Sequence, residues 1–339
     1  MTNSSSLPQL CVESRGTRVL VSLIYCSFSI TGTLANLVVI YLVYSFKKLK
    51  TTSNAFICNG CVADFLVCAF WMPQKVVLLS GPWTAVSLVY QTFMEGLLFL
   101  WVIVSMISHS LIALNRYVLI TKLPAVYRTI YQKRNTEWMI AMSWVVPVVF
   151  LLPWLFGQRY PENDPKCPNQ RLLVLAGKEA QLPNAYTAIL SAVTILSQTS
   201  ILLYCYFKIL RKVQVSVKRV SVLNVQTMPR MPNPCPRKDK RLGVYVLCVC
   251  CTFVVTTEPY AWVIFWSLAR PVVEGLQIAS WMAFCLLLVL SPFMYTWRNE
   301  EFRRAFRSLA RLEVLKGSSV GVETVSQTIS QNDPNYEPG

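Results

Sequence analysis

Five stretches of this chain carry no formally charged side chain and are each long enough to cross a lipid bilayer: 19–46, 96–115, 138–156, 180–207 and 275–297. An α-helix rises about 1.5 Å per residue, so about 20 residues cover the roughly 30 Å hydrocarbon layer. Two further runs, 51–74 and 242–269, are each interrupted by one acid, Asp64 and Glu258. A carboxyl inside such a run is expensive and is usually kept for a reason, so both count as spans. The pattern predicts an all-α membrane protein, a seven-transmembrane helix bundle with spans near 19–46, 51–79, 86–120, 138–156, 180–209, 242–269 and 274–297. Composition agrees: 54% hydrophobic residues against 14% charged is too apolar for a soluble chain of 339 residues. Residues 1–15 lack the basic region and apolar core of a secretory signal, which leaves the first span to act as the insertion signal.

Lysine and arginine set the expected orientation. With residues 1–18 outside, 24 of the 32 basic residues fall on the inner side, as the positive-inside rule requires. The net charge of +16 follows from this bias and suits an anionic inner leaflet, so a nucleic-acid partner is excluded. The sequon Asn3-Ser4-Ser5 then lies outside, open to glycosylation. Residues 215–241 mix prolines with basic residues and read as an inner loop whose ends extend the flanking helices. In 298–315, Phe302, Phe306 and Leu309 recur at helical spacing beside Arg303, Arg304, Arg307 and Arg311, the pattern of an amphipathic helix eight lying on the membrane surface. The Ser/Thr/Gly/Pro-rich tail 316–339 has little to pack and is expected to be disordered in the cytoplasm.

Several motifs stand at matching places in these spans: Asn36 in "GTLAN", Asp64 in "CVADFL", Arg116 in "LNRY", Trp144, Pro259 in "TTEPYAW", and "SPFMY" from Ser291 to Tyr295. Together they resemble the markers of rhodopsin-like G-protein-coupled receptors, in the right helices and order. The strings "TTSNAFI", "VSVKRVSVLN" and "YTWRNEEFRR" are similar to those of an orphan member of that family. The resemblance implies a plasma-membrane receptor that acts on a heterotrimeric G protein of the inhibitory class and lowers cyclic AMP. It also implies a coupling switch at Asn115, Arg116, Tyr117, Tyr206, Asp239, Ser291, Pro292 and Tyr295. There Arg116 meets the G-protein α subunit, the tyrosines Tyr206 and Tyr295 swing beneath it, and Asp239 clasps it at rest. A guanidinium at the membrane face stays charged and can exchange an internal partner for a protein partner's carbonyls.

Departures from the family pattern carry as much information. Asn115 stands where an acid usually restrains the arginine, which predicts ligand-free activity. Thr257 replaces the switch tryptophan, and Gln198 and Ser291 replace a proline and an asparagine. Leu98 occupies the position of the aspartate that holds monoamines. Gln91 stands where a cysteine usually ties helix three to the outer loop, so Cys11 and Cys167, the cysteines in outer segments, are the expected disulfide. Asp64 with Ser105 either binds a sodium ion, as the resemblance implies, or forms a polar knot; no other cofactor is expected.

The remaining candidates line the outer half of the bundle. Trp71, Phe99, Tyr260, Trp262 and Trp281, with Leu98 and Thr257, either enclose an unknown ligand or simply pack, and Gln74, Glu95, Glu258 and Gln277 are the polar handles. His109, the single histidine, is either a buried neutral ring or a proton switch, and one histidine gives neither a catalytic triad nor metal-site spacing. An enzyme is therefore not expected. Serines and threonines of the tail, such as Ser318 and Thr324, would serve a receptor kinase and arrestin. The rival readings are a receptor fold that modulates other receptors without a ligand, and a small transporter relaying protons through Asp64 and Glu258. The transporter reading lacks the inverted repeats and broken half-helices of that class.

Overall fold

The computed structural model describes residues 15–80, 88–157, 182–227, 235–270, 272–297 and 299–311. The chain folds as α1 (Arg15–Ser45), a 3-10 turn (Lys47–Leu49), α2 (Thr52–Leu66), a π turn (Val67–Trp71), α3 (Met72–Ser80) and α4 (Leu88–Thr121). It continues as α5 (Pro124–Ile130), α6 (Lys133–Gly157), α7 (Leu182–Thr227), α8 (Cys235–Ser267), α9 (Glu274–Thr296) and α10 (300–311). Among the described residues, seven helices are long and apolar enough to cross a membrane: α1, the continuous α2–α3 rod, α4, α6, α7, α8 and α9. The fold is thus the expected all-α seven-helix bundle.

Local chemistry explains where the helices start, run on and bend. The Thr51 side chain accepts a hydrogen bond from the Asn54 backbone N–H and caps α2, and Pro124 sits in the first turn of α5. The α7 helix continues to Thr227 because residues 184–228 contain neither glycine nor proline. The π turn ends two residues before Pro73, whose missing N–H cannot close the ordinary bond to the turn below. That extra residue rotates the rest of the rod, and both Trp71 and Lys75 end up buried. Pro259 and Pro292 similarly interrupt α8 and α9.

The α4 helix lies at the centre, packed against α2, α6 and α7, while α8 bridges α7 and α9 and the ring closes through α1. One buried cluster fills the middle and one end of the bundle, around Trp71, Met106, Tyr206, Phe253, Tyr260 and Phe284. A second joins α1, α2, α9 and α10 through Leu42, Ile57, Tyr295 and Phe302. The outward faces are apolar as lipid contact demands, for example Leu23, Val193 and Leu247. On α10, Phe302 and Ala305 are buried, whereas Arg303, Arg304, Arg307 and Arg311 stay exposed.

Gly32 marks the closest approach of helices in this packing. A Cβ there would stand 2.5 Å from Cys68 Sγ and 3.3 Å from Val289 Cγ2. Gly32→Ala is expected to destabilise the bundle by about 1–3 kcal/mol through overpacking, whereas Gly275→Ala, with open space around it, is expected to be neutral. Thermal midpoints of the purified protein check both.

Candidate functional site

Three buried polar groupings are stacked along the bundle. In the middle, the fully buried Asp64 carboxyl accepts a hydrogen bond at each oxygen, one from Ser105 Oγ at 2.5 Å and one from Ser291 Oγ. A single carboxyl therefore joins α2, α4 and α9. Leu287 and Leu288, on the turn of α9 that precedes Ser291, are completely buried. The donor set for a cation would be one carboxylate and two hydroxyls, and among the described residues no group of three acidic, histidine or cysteine side chains converges. Beside it, Asn36 Nδ2 donates to the carbonyls of Gly32 (2.9 Å) and Leu288 (3.1 Å). Asn59 donates to Ser108 (2.8 Å) and Ser143 (3.1 Å) and accepts from Trp144 Nε1 at 2.9 Å.

About three turns along α4 from Ser105, Arg116 is enclosed by tyrosines. Its Nη1 donates to Tyr245 Oη, and its guanidinium lies 5.2 Å from the Tyr245 ring centre and 5.4 Å from that of Tyr295. Tyr245 Oη in turn donates to the Met294 carbonyl at 3.0 Å. One phenol thus links α4, α8 and α9 beneath the arginine. Tyr295 Oη and His109 Nδ1 share a hydrogen bond of 3.1 Å, and the His109 ring meets Phe253 edge-on. Tyr206 is buried, and its hydroxyl finds no partner among the described residues. Asn115 is buried and donates through Nδ2 to Tyr127 of α5 at 3.2 Å.

At the opposite end lies an apolar cavity of about 40 Å³, lined by Leu98, Phe99, Met106, Thr194, Tyr260 and Trp281 among others. Trp281 stacks on Phe284 and donates Nε1 to Tyr25 Oη at 2.8 Å, and Trp71 meets the rings of both Tyr25 and Trp281 edge-on. Near this aromatic group, Lys75 and Glu95 form a largely buried ion pair at 3.4 Å.

The arrangement matches a family known in many members. Residues 35–295 match the family described as 7 transmembrane receptor (rhodopsin family). The chain belongs to the rhodopsin family of seven-transmembrane receptors. It is 26% identical over 325 residues to the neuropeptide Y receptor type 2 of Cavia porcellus, covering 90% of this chain and 80% of that one. It is 27% identical over 296 residues to the melatonin receptor type 1A of Gallus gallus, covering 83% and 77%. It is 25% identical over 293 residues to the Gq-coupled rhodopsin of Mizuhopecten yessoensis, covering 81% and 56%. This is a receptor family and not an enzyme family.

Within this rhodopsin-family bundle the expected residues separate by position. Arg116 and Tyr295 are in contact, Tyr206 is buried close to them, and Asp64 pairs with Ser105. Ser291, one of the expected switch residues, bonds to the Asp64 carboxyl in the middle of the bundle. Three expectations need correction. Tyr117 turns away from the cluster and packs its ring against the largely exposed Tyr204. Trp262 is 56% exposed on the lipid side, because the inward stripe of α8 runs through Phe253, Thr257, Tyr260, Ala261 and Ile264. Thr257 is buried but bonds to the Phe253 carbonyl at 2.7 Å instead of lining the cavity. Glu258 flanks that stripe half-buried, Pro292 is buried in the α9 bend, and Gln277 bonds weakly to the Val272 carbonyl at 3.4 Å. Gln74 is half-buried, and its Oε1 has no partner among the described residues. Cys11, Cys167, Asn3 and the Asp239 side chain lie outside the described residues.

Two residues that matter here, Tyr245 and Lys75, escaped the sequence reading. Tyr245 is one of 15 tyrosines, and only its angle on α8 singles it out. Lys75 ended a charge-free run and looked like a boundary; its value as a signal was that Glu95, its ion-pair partner on the next span, also bounds a run.

Removing either hydroxyl partner of Asp64 leaves a buried carboxyl oxygen unsatisfied. Ser105→Ala and Ser291→Ala are each expected to cost about 1–3 kcal/mol. Asn36→Ala is expected to cost a similar amount, because Pro292 has no N–H to give the Leu288 carbonyl and Asn36 Nδ2 supplies the missing donor. Denaturant or thermal unfolding in lipid nanodiscs measures the three.

Proposed function

We propose that this rhodopsin-family receptor carries an extracellular or membrane-derived signal to a heterotrimeric G protein, with its amino terminus outside the plasma membrane and its carboxyl terminus in the cytoplasm. The observation that carries the reading is the Arg116 cluster. A permanently charged guanidinium sits at one end of the bundle, held by a neutral phenol of α8 rather than by a carboxylate. A hydrogen bond from a charged donor to a neutral acceptor contributes roughly 1.5–3 kcal/mol and can be exchanged for a carbonyl of a partner helix. Movement of α8 away from α4 breaks the bond to Tyr245, frees Arg116 and opens a cleft for the α subunit. The receptor thereby promotes nucleotide exchange by conformational change and makes no covalent bond.

Assignment to the inhibitory class, and to an orphan-type receptor without an established ligand, rests on the resemblance of the inner strings. The relatives named above are named for neuropeptide Y, for melatonin and for coupling to Gq, so no ligand transfers from them. The tail serines and threonines would receive a receptor kinase and then arrestin. A second reading, a receptor fold that modulates others without a ligand, is favoured by the cavity of about 40 Å³, well below the roughly 300–1,000 Å³ of ligand pockets. Expression without ligand beside dissociation sensors for each α class separates the two. A basal signal from the inhibitory class supports the first reading, and silence from every class supports the second.

Two expectations follow for the switch and the core. Tyr245→Phe removes the phenol that holds Arg116 and should raise basal exchange about tenfold. Asn115→Asp restores an acidic restraint and should lower it, and Asp239→Ala should raise it, all compared at matched surface expression. Asp64, already bonded at both oxygens, is proposed to act as a polar clasp without sodium. Exchanging sodium for choline should then leave the thermal midpoint unchanged, and a rise in sodium that Asp64→Asn abolishes would favour the ion.

A further inference from the structure

Lys75 and Glu95 have no role in the switch, yet Lys75 is buried within the bundle and Glu95 largely so. Lys75 lies eleven residues beyond Asp64 on the α2–α3 rod, and Glu95 lies twenty-one residues before Arg116 on α4, which places them at the end opposite the arginine. Their side chains are 7% and 16% exposed. Lys75 Nζ also stands 5.3 Å from the Trp71 ring centre. Trp71 touches Trp281, and Leu98 and Phe99 follow Glu95 by one turn of α4; Trp281, Leu98 and Phe99 all line the apolar cavity. The ion pair therefore adjoins the cavity through shared walls.

The pair is held loosely. An ammonium has three donors and a carboxylate about four acceptor sites, but the two meet at a single contact of 3.4 Å, longer than the 2.7–2.9 Å usual for charge-assisted bonds. Next to it, Trp71 Nε1 and Gln74 Oε1 are buried without partners among the described residues. Two largely buried charges that share one long contact among the described residues are costly to keep for stability alone. A ligand that joined only Lys75 would strand Glu95, and the reverse holds for a ligand that joined only Glu95. A head that offers an acceptor to one and a donor to the other leaves the site neutral.

We propose that Lys75 and Glu95 form the head-group subsite for a net-neutral ligand in which a hydrogen-bond acceptor stands beside a donor, as in an α-amino acid zwitterion or a primary amide, with an apolar body entering the cavity. The proposal rests on the reading of the chain as a ligand-operated receptor. The body displaces lining side chains, of which Met106 is the most pliable. The direct Lys75–Glu95 contact is replaced by two contacts through the head, which then bridges α3 and α4.

The test uses the full-length receptor in nanodiscs and four probes that share a phenylethyl body: L-phenylalanine, 3-phenylpropanamide, 3-phenylpropanoate and phenylethylammonium. Saturation-transfer NMR and thermal shift at millimolar concentration read binding without any G protein. Wild type is expected to bind the two neutral heads at least tenfold better than the two charged ones; binding of only one of them still supports the proposal and tells amino acid from amide. Glu95→Gln should turn the preference to the carboxylate, Lys75→Gln to the ammonium, and the exchanged pair K75E/E95K should restore the neutral heads. A merely structural ion pair would leave the order unchanged in every variant, and that result, or no binding of any probe to wild type, overturns the proposal. Wild type that binds the neutral heads but activates no α subunit would instead overturn the coupling reading and leave this one standing.

Discussion

Within a bilayer core there is no water to satisfy a polar group, so each buried donor or acceptor left unanswered inside the bundle is costly. That constraint organises this receptor. The Asp64 carboxyl takes one hydroxyl from α4 and one from α9, and Asn59 gathers Ser108, Ser143 and Trp144 from α4 and α6. Asn36 ties α1 to the Leu288 carbonyl in the bend above Pro292. Apolar packing alone cannot register helices against a lipid as apolar as themselves. These few polar ties do so, and they cross-link α1, α2, α4, α6 and α9 about one level of the membrane.

The same rule shapes the arginine. Arg116 follows a neutral asparagine, and no carboxylate bonds to it among the described residues, so its surroundings are assembled from aromatic faces and one phenol. Tyr245 does double duty, accepting from the guanidinium and donating to the Met294 carbonyl. A bond to a neutral group is weaker than a salt bridge would be at this depth, so the closed state is held by a smaller margin. His109 adds a further link, because its bond to Tyr295 ties the middle of α4 to α9 one layer above the arginine.

The helices and the family markers were legible because they depend on one-dimensional properties: the length of a charge-free run, and fixed spacings along it. Asp64 and Ser105 could be paired for the same reason, since each has a known place in its own span. What could not be read was rotation about a helix axis. Trp262 and Tyr260 lie two residues apart, yet one faces lipid and the other the cavity, and only the packed bundle decides which. Lys75 was hidden by the π turn at Val67–Trp71, which adds a residue to the period and carries a terminal-looking lysine into the interior. Ser291 stands where the family has an asparagine, and its short side chain reaches the Asp64 carboxyl and the Leu288 carbonyl.

We propose that a single phenol, that of Tyr245, keeps α8 closed over Arg116. Distances between spin labels on Leu119→Cys of α4 and Val244→Cys of α8, both lipid-exposed positions, measure that closure directly once Cys26, Cys248 and Cys251, the exposed cysteines among the described residues, and Cys11, Cys167 and Cys235 are replaced. Double electron–electron resonance should give a dominant short distance with a minor longer one, and Tyr245→Phe should shift population to the longer distance without any ligand. An unchanged distance distribution in the Tyr245→Phe receptor would contradict the account.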